Sequence, residues 1–159
     1  MKTKLLIALA FVFLAGTSCE KKIDLAKEQE AIKAVFEADR AAYFKQDYAG
    51  VGDCWIKEPS TTKIWLNGKE ETRIVGWDNI DASQKKEAED TSWDRNQTTA
   101  KFSNYQIDIM GKSAWVYCET NWEGKMKGEA WNLKQGRIAV LKKVDGNWKY
   151  AMVMIYIKQ

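Results

Sequence analysis

The sequence of 159 residues contains no histidine, one proline and three cysteines. Without an imidazole, the catalytic schemes that pair serine or cysteine with histidine are excluded, and so is acid–base catalysis by histidine. A zinc site would have only cysteine and carboxylate ligands, and the three cysteines show no CxxC spacing. We therefore expect no metal ion and no other cofactor.

A strong excess of one charge is also missing, since 25 basic residues stand against 22 acidic ones. The charged residues are mixed along the chain, and no basic stripe alternates with aromatic residues. Proteins that bind nucleic acid through its phosphates normally concentrate Lys and Arg on one surface. The composition therefore argues against a nucleic-acid partner.

The first eighteen residues have the pattern of an export signal. Lys2 and Lys4 precede an apolar run from Leu5 to Ala15, and the small residues 16–18 follow it. This run is about half of the roughly 20 residues that a transmembrane helix needs, which favours a cleaved signal peptide. Cys19 comes next, and small residues leading into a cysteine resemble the lipobox of bacterial lipoproteins, in which that cysteine is lipidated.

We therefore predict a lipoprotein signal peptide over residues 1–18, a lipidated tether over 19–25 and one domain over 26–159. Lipid on Cys19 would hold the protein to a bacterial membrane in the cell envelope, facing the periplasm or exposed at the surface. An ordinary secretory signal with an incidental cysteine is the alternative. Because envelope proteins can carry disulfides, Cys54 and Cys118 are either bridged or free buried thiols.

The first half of the domain has helical patterns. Apolar residues at three- and four-residue spacing predict a long amphipathic helix from Ala26 to about Asp47. A second helix is predicted from Tyr48 to Trp55, and a third from Gly76 to about Asp90, where Asp78 or Asn79 can cap the start.

The remaining segments have the alternation of strands. Thr61–Leu66 and Glu71–Val75 flank Asn67-Gly68, a dipeptide typical of tight turns, and so form a hairpin. Four longer alternating segments follow, at about 97–110, 113–123, 126–143 and 147–157. Helices followed by strands predict an α+β fold in which the helices pack on one side of a curled antiparallel sheet.

Particular residues strengthen this interpretation. They are Ala42 and Gln46-Asp47 at the end of the first helix, Gly76 with Asp78 and Ile80 at the start of the third, and Arg137 to Tyr150 with its Asp-Gly-Asn-Trp turn. In this order they resemble the nuclear transport factor 2-like superfamily, and within it the SnoaL-like branch. The resemblance implies a cone-shaped fold: a curled antiparallel sheet wraps around a long N-terminal helix and leaves a pocket at its open end.

In different members of that superfamily the pocket hosts isomerases, dehydratases, cyclases, epoxide hydrolases or binding alone, and many members pair through the outer face of the sheet. The resemblance therefore implies a homodimer without fixing an activity. Strand alternation and helical phase give six candidate pocket residues: Tyr43, Trp115, Tyr117, Asn121, Met152 and Met154.

Two carboxylates are candidate catalytic groups. Asp39 shares a helix face with Phe36 and Tyr43, and Glu119 is in phase with Trp115 and Tyr117. Burial among aromatic rings would raise the pKa of either carboxyl and suit it to acid–base work. The alternative is that each lies at the rim, solvated or paired with a basic residue such as Arg40 or Arg137.

Three functions remain open. The first is a membrane-anchored module that binds a small apolar or aromatic ligand, which the absence of histidine and the eight tryptophans favour. The second is a small isomerase, dehydratase or hydrolase that uses Asp39 or Glu119. The third is an assembly domain whose pocket is vestigial and whose sheet face recruits another copy.

Overall fold

A computed structural model describes residues 24–92 and 94–158 of the chain. The predicted signal peptide, Cys19 and most of the predicted tether lie outside these residues. The described part contains three helices, two short strands and four long strands. In chain order they are α1 (Leu25–Phe44), α2 (Tyr48–Asp53), β1 (Thr62–Asn67), β2 (Glu70–Val75), α3 (Trp77–Ala88), β3 (Thr99–Met110), β4 (Ser113–Met126), β5 (Glu129–Val144) and β6 (Asn147–Ile157).

The six strands form one sheet in the order β2-β1-β6-β5-β4-β3. Neighbouring strands pair antiparallel, except that β1 lies parallel to β6. The sheet curls without closing, and its inner face packs against α1. This arrangement confirms the predicted α+β class and the curled sheet around a long N-terminal helix.

Helix α1 begins one residue earlier and ends three residues earlier than predicted. The Asp24 carboxylate accepts a hydrogen bond from the backbone N–H of Lys27 at 3.1 Å and so caps the first turn. At the other end Gln46 adopts a left-handed conformation with φ of 56°, which a helix cannot contain. Asp47 then caps α2 by accepting from the backbone N–H of Gly50.

The start of α3 differs from the prediction in its cap. Gly76 occupies the capping position with φ of 87°, and no side chain caps the first turn. Neither Asp78 nor Asn79 has the predicted role, because both lie inside the helix. Asn79 instead donates from its side-chain amide to the carbonyl of Val75 at 2.8 Å.

Phe36 is the centre of the core between α1 and the sheet. Its side chain is fully buried, and its ring meets Phe102, Tyr105 and Tyr150 edge-on at centroid distances of 5.6, 5.6 and 5.2 Å. Edge-to-face pairs of this kind add to the stabilisation from burial. Cys54 and Cys118 are both buried and both free, so of the two alternatives the structure has free thiols.

A bulge in β6 makes the predicted phase of that strand wrong. Tyr150 pairs with Leu141 and Met152 pairs with Val140, so Ala151 is an extra residue with no partner on β5. An inserted residue reverses the alternation beyond it. Tyr150 therefore faces the helices. Beyond the bulge, Met152 and Met154 face outward, and Val153 and Ile155 face inward.

The segment predicted as a strand over about 113–123 ends later than predicted, because β4 continues through Glu123-Gly124 to Met126. A Cβ on Gly124 would lie 2.8 Å from the Cα of Thr98. Because Gly124 has no side chain, the segment at Thr98 can approach β4 closely. This glycine therefore lies within a strand and does not form a turn.

Candidate functional site

The described residues enclose a cavity of about 350 Å³ between α1, α3 and the inner face of the sheet. Its volume lies in the range of small-molecule sites, which is roughly 300–1,000 Å³. Aromatic rings form much of its wall. These are Tyr43, Trp55, Trp65, Phe102, Trp122 and Trp131.

Asp39 and Arg137 form a charged pair in the cavity. Asp39 comes from the middle of α1 and Arg137 from the inner face of β5. The Asp39 Oδ2 atom lies 3.7 Å from Nη1 of Arg137, and the two side chains are 16% and 9% exposed. Asp39 also accepts a hydrogen bond from the indole N–H of Trp55 at 3.3 Å. The pair is therefore in ionic contact, but its separation is too long for a hydrogen bond.

Desolvation raises the pKa of the Asp39 carboxyl above its ordinary value. The charge of Arg137 and the hydrogen bond from Trp55 act in the opposite direction, but burial is the largest effect. A carboxyl in this state keeps its proton to a higher pH than an exposed one. It can accept or donate a proton inside an aromatic cavity.

Two arginines pack against one phenylalanine ring beside this pair. The guanidinium carbons of Arg137 and Arg40 lie 5.2 and 5.6 Å from the ring centre of Phe102. Arg40 is engaged elsewhere, since it pairs with Glu37 and donates to the carbonyl of Ala100. The side chain of Arg137 makes no hydrogen bond within residues 24–92 and 94–158, and its Nε is buried without a partner.

A second ion pair forms another part of the wall. Lys63, a buried residue of β1, donates to both carboxylate oxygens of Glu87 on α3 at 2.8 and 2.9 Å. Ser83 donates to the same carboxylate at 3.1 Å. The pair joins the short hairpin to α3 and thereby closes one side of the cavity.

Gln135 lies two residues before Arg137 on the inner face of β5 and is also buried. Its side-chain oxygen accepts a hydrogen bond from the indole N–H of Trp122 at 3.0 Å. That bond engages the amide oxygen, so the NH₂ group is the part of this cavity-lining side chain that is left to bind another molecule.

No family model matches the chain, and no curated protein sequence matches it. Solved structures do match. A proposed dehydratase of the NTF2-like family from Streptomyces avermitilis is 12% identical, with a TM-score of 0.70 over 85% of this chain and 99% of that one. A nuclear transport factor 2-like superfamily protein from Salmonella enterica is 13% identical, with a TM-score of 0.69 over 85% and 94%. The chain has the nuclear transport factor 2-like fold.

A ketosteroid isomerase-like protein from Erwinia carotovora atroseptica shares the fold at 14% identity, with a TM-score of 0.60 over 84% of this chain and 98% of that one. At such identities the likeness shows the architecture alone, so the predicted SnoaL-like branch stays a prediction. Function must be argued from the residues of the cavity.

Two of the predicted site residues line the cavity of this nuclear transport factor 2-like fold, namely Asp39 and Tyr43. Burial raises the pKa of Tyr43 to about 12, so its phenol stays protonated at neutral pH. Asp39 is buried, as the catalytic interpretation of the sequence expected. It is also paired with Arg137, as the alternative interpretation expected.

The other predicted residues lie on the outer face of the sheet. On β4, the residues that face the helices are Ala114, Val116, Cys118 and Thr120, all buried. The opposite face carries Trp115, Tyr117, Glu119 and Asn121, and beyond the bulge β6 adds Met152 and Met154 to it. None of these six residues lines the cavity.

Glu119 is held as a carboxylate on that outer face. It pairs with Lys158 and accepts hydrogen bonds from Asn104 at 3.0 Å and Tyr117 at 3.1 Å. These contacts, with that from Lys158 the strongest, lower its pKa. Glu119 is therefore a surface ion-pair residue, as the alternative interpretation of the sequence had it.

Sequence reasoning missed several residues of the site. Lys63, Phe102 and Gln135 were not singled out, Trp65 was considered only as one of eight tryptophans, and Arg137 only as a partner for a carboxylate. One signal was available: Gln135 and Arg137 are polar residues two positions apart in the middle of β5, directly before the apolar run from Ile138 to Leu141. Such a pair shares one face, and if that face is inward both side chains need polar partners.

Neither a metal site nor a membrane span is found in the described part of the chain. Among residues 24–92 and 94–158, no three acidic or cysteine side chains come close enough to hold a metal ion. No helix in the same residues combines the length and the apolar character that crossing a membrane requires.

Proposed function

We propose that this domain binds one small, flat, apolar or aromatic molecule in the cavity between α1 and the sheet. The observation that carries the proposal is the cavity wall, to which Trp55, Trp65, Trp122 and Trp131 contribute. Indole rings offer large, rigid apolar surfaces, and the few polar groups between them would fix the orientation of a ligand.

Tryptophan fluorescence tests the proposal directly, because an occupant would contact several of the indoles. The purified protein is titrated with envelope extracts, and any molecule that co-purifies is identified by mass spectrometry. Val153→Phe should fill part of the cavity and abolish the response, since Val153 lines it. Met154→Phe is the matched control on the opposite face of the same strand. An equal response from both variants would contradict the proposal.

A catalytic role is the second candidate, and Asp39 is the observation that favours it. Its raised pKa and its place in an aromatic cavity suit a general acid or base of an isomerase, dehydratase or hydrolase. We expect Asp39→Asn to abolish conversion of the co-purified ligand while the protein still folds. Unchanged conversion by that variant would remove the catalytic role. Glu119→Gln is the control, because Glu119 lies away from the cavity.

We also propose that the domain is tethered to a membrane of the cell envelope through lipid on Cys19. Residues 20–23 then separate the lipidated residue from the cap of α1 at Asp24. At about 3.3–3.6 Å per extended residue, a tether of this length keeps the domain against the membrane surface. Metabolic labelling with palmitate should mark the protein and fail to mark Cys19→Ser. Labelling that survives this substitution contradicts the anchor.

The outer face of the sheet supports a further proposal, that two copies of the domain pair. Ile138, Val140, Met152 and Met154 form an apolar stripe there, next to Trp115, which is 37% exposed. Burial of such a stripe would favour association. Light scattering should detect a dimer that Met154→Lys dissociates, with Val75→Lys at the sheet edge as the control. A monomer at high concentration contradicts this.

A further inference from the structure

Two side chains of β5 that line the cavity, those of Arg137 and Gln135, have N–H donors without an acceptor among the described residues. They indicate which class of ligand the cavity binds. We propose that the ligand carries a carboxylate, which the guanidinium of Arg137 and the side-chain amide of Gln135 receive. The inference rests on the proposed function, since it names the polar group of the molecule that the cavity binds.

Arg137 provides the first observation. A guanidinium has five N–H donors, and in the described residues none of them makes a hydrogen bond. Its side chain is only 9% exposed, and its ionic contact with Asp39 is 3.7 Å long. The Nε is buried without a partner in this part of the chain, which costs free energy, and a ligand that accepts from this guanidinium would give its donors the acceptor that they lack. The stacking on Phe102 holds the guanidinium in place for such a ligand.

Gln135 provides the second observation. The indole of Trp122 occupies its carbonyl oxygen, so only the donor end of the amide is available. No hydrogen bond from that NH₂ group is found within residues 24–92 and 94–158. Residues two apart on a strand point to the same face and lie about 6.5–7 Å apart. Gln135 and Arg137 can therefore converge on one acceptor group, and both present donors only.

The charges of the wall favour a carboxylate over a more highly charged group. The planar fork of an arginine matches the two oxygens of a carboxylate or a phosphate. Three carboxylates also line this cavity, namely Asp39, Glu87 and Asp90. They would repel a phosphate dianion more strongly than a single negative charge. A neutral ligand would leave some of the N–H donors of Arg137 without an acceptor.

Asp39 already balances the charge of Arg137, so a bound carboxylate would add an uncompensated negative charge unless Asp39 takes up a proton. Burial makes that protonation easier, because it raises the pKa of Asp39. The titratable and charged groups that face Asp39 come from each element around it. They are Arg137 on β5, Lys63 on β1, Glu87 on α3, Tyr150 on β6 and Cys54 after α2. Binding should therefore consume a proton.

Calorimetric titration with 2-naphthoate and with the neutral, equally flat 2-naphthamide tests the inference. We expect the purified protein to bind the carboxylate at least about tenfold more tightly than the amide at pH 7. Titration in two buffers of different ionisation enthalpy should show proton uptake with the carboxylate and none with the amide. Equal affinities for the two compounds would overturn the inference and leave the proposed function standing. Binding of neither compound would remove both.

Variants locate the effect. Arg137→Gln should remove the preference for the carboxylate and leave amide binding in place, whereas Lys134→Gln on the outer face of the same strand should change neither. Should Arg137→Gln fail to fold, Asp39→Asn decides instead. That substitution removes the competing anion, so it should tighten 2-naphthoate binding about tenfold and leave 2-naphthamide unchanged. Weaker carboxylate binding in Asp39→Asn would overturn the inference.

Discussion

Gly136 allows a prediction whose sign depends on one neighbouring side chain. Gly136 lies on β5 directly opposite Tyr156 of β6, and the phenol ring of Tyr156 crosses over the glycine. A Cβ on Gly136 would overlap that ring. Its φ lies outside the left-handed region, so alanine is compatible with the backbone at this position.

We therefore expect Gly136→Ala to destabilise the protein by about 1–3 kcal/mol, the usual cost of an added methyl group where there is no room. In a Tyr156→Ala background the overlap is gone. The same substitution should then stabilise by about 0.4–1 kcal/mol, because alanine restricts the unfolded chain more than glycine does. The two effects together give a coupling energy of about 1.5–4 kcal/mol.

Urea denaturation of the four proteins of this double-mutant cycle, followed by circular dichroism, measures the coupling. Gly124→Ala is the matched contrast, because a Cβ there meets the Cα of Thr98 as well as its side chain. Removing that side chain in Thr98→Ala should therefore give little relief. The reasoning is refuted if Gly136→Ala costs the same free energy with and without the Tyr156 ring.

Other contacts give shorter predictions. Glu28 accepts hydrogen bonds from Lys143 and Trp148, which lower its pKa below the ordinary value of 4.5. A depressed folded-state pKa contributes stability that is fully present above the unfolded-state pKa and is lost as the pH falls through the folded-state pKa. Glu28→Gln should therefore lower the urea midpoint at pH 7, and this effect should shrink as the pH is lowered through the acid range. Phe36→Ala should cost about 3–5 kcal/mol, because the ring is fully buried; a loss under about 1.5 kcal/mol in urea melts would contradict its central role. Burial raises the pKa of the Cys54 and Cys118 thiols to about 12, so both should resist a thiol reagent at pH 8 until urea unfolds the protein. Rapid labelling of the native protein would show that they are accessible.

The order of helices and strands followed from local physics. The three- and four-residue spacing that places Ile32 and Phe36 on one face of α1 is a property of neighbouring residues, and both are fully buried. The Asp145-Gly146 turn is likewise local: both residues have positive φ, at 50° and 82°, as a two-residue hairpin turn requires. The predictions of the fold were right because they depended on such short-range patterns.

The candidate site was harder to predict, because alternation assigns residues to two faces without saying which face is inside. On β4 the face with Trp115 and Tyr117 looked like a pocket wall, yet the smaller residues Ala114 and Val116 face the helices. Small side chains fit there because α1 and its aromatic residues already fill the interior of the curled sheet. In this first half of β4, the large side chains of Trp115 and Tyr117 lie on the outer face.

By itself, the sequence determined the α+β element order, the Asp145-Gly146 turn and the absence of any histidine chemistry, because each depends on composition or on residues close in the chain. Only the tertiary structure decided that Arg137 and Gln135 line the cavity and that Met152 and Met154 do not. The bulge at Ala151 reverses the second half of β6, and its position is set by the register between β5 and β6. Register depends on how whole strands fit around α1, so local sequence cannot encode which face of a strand becomes the wall of a site.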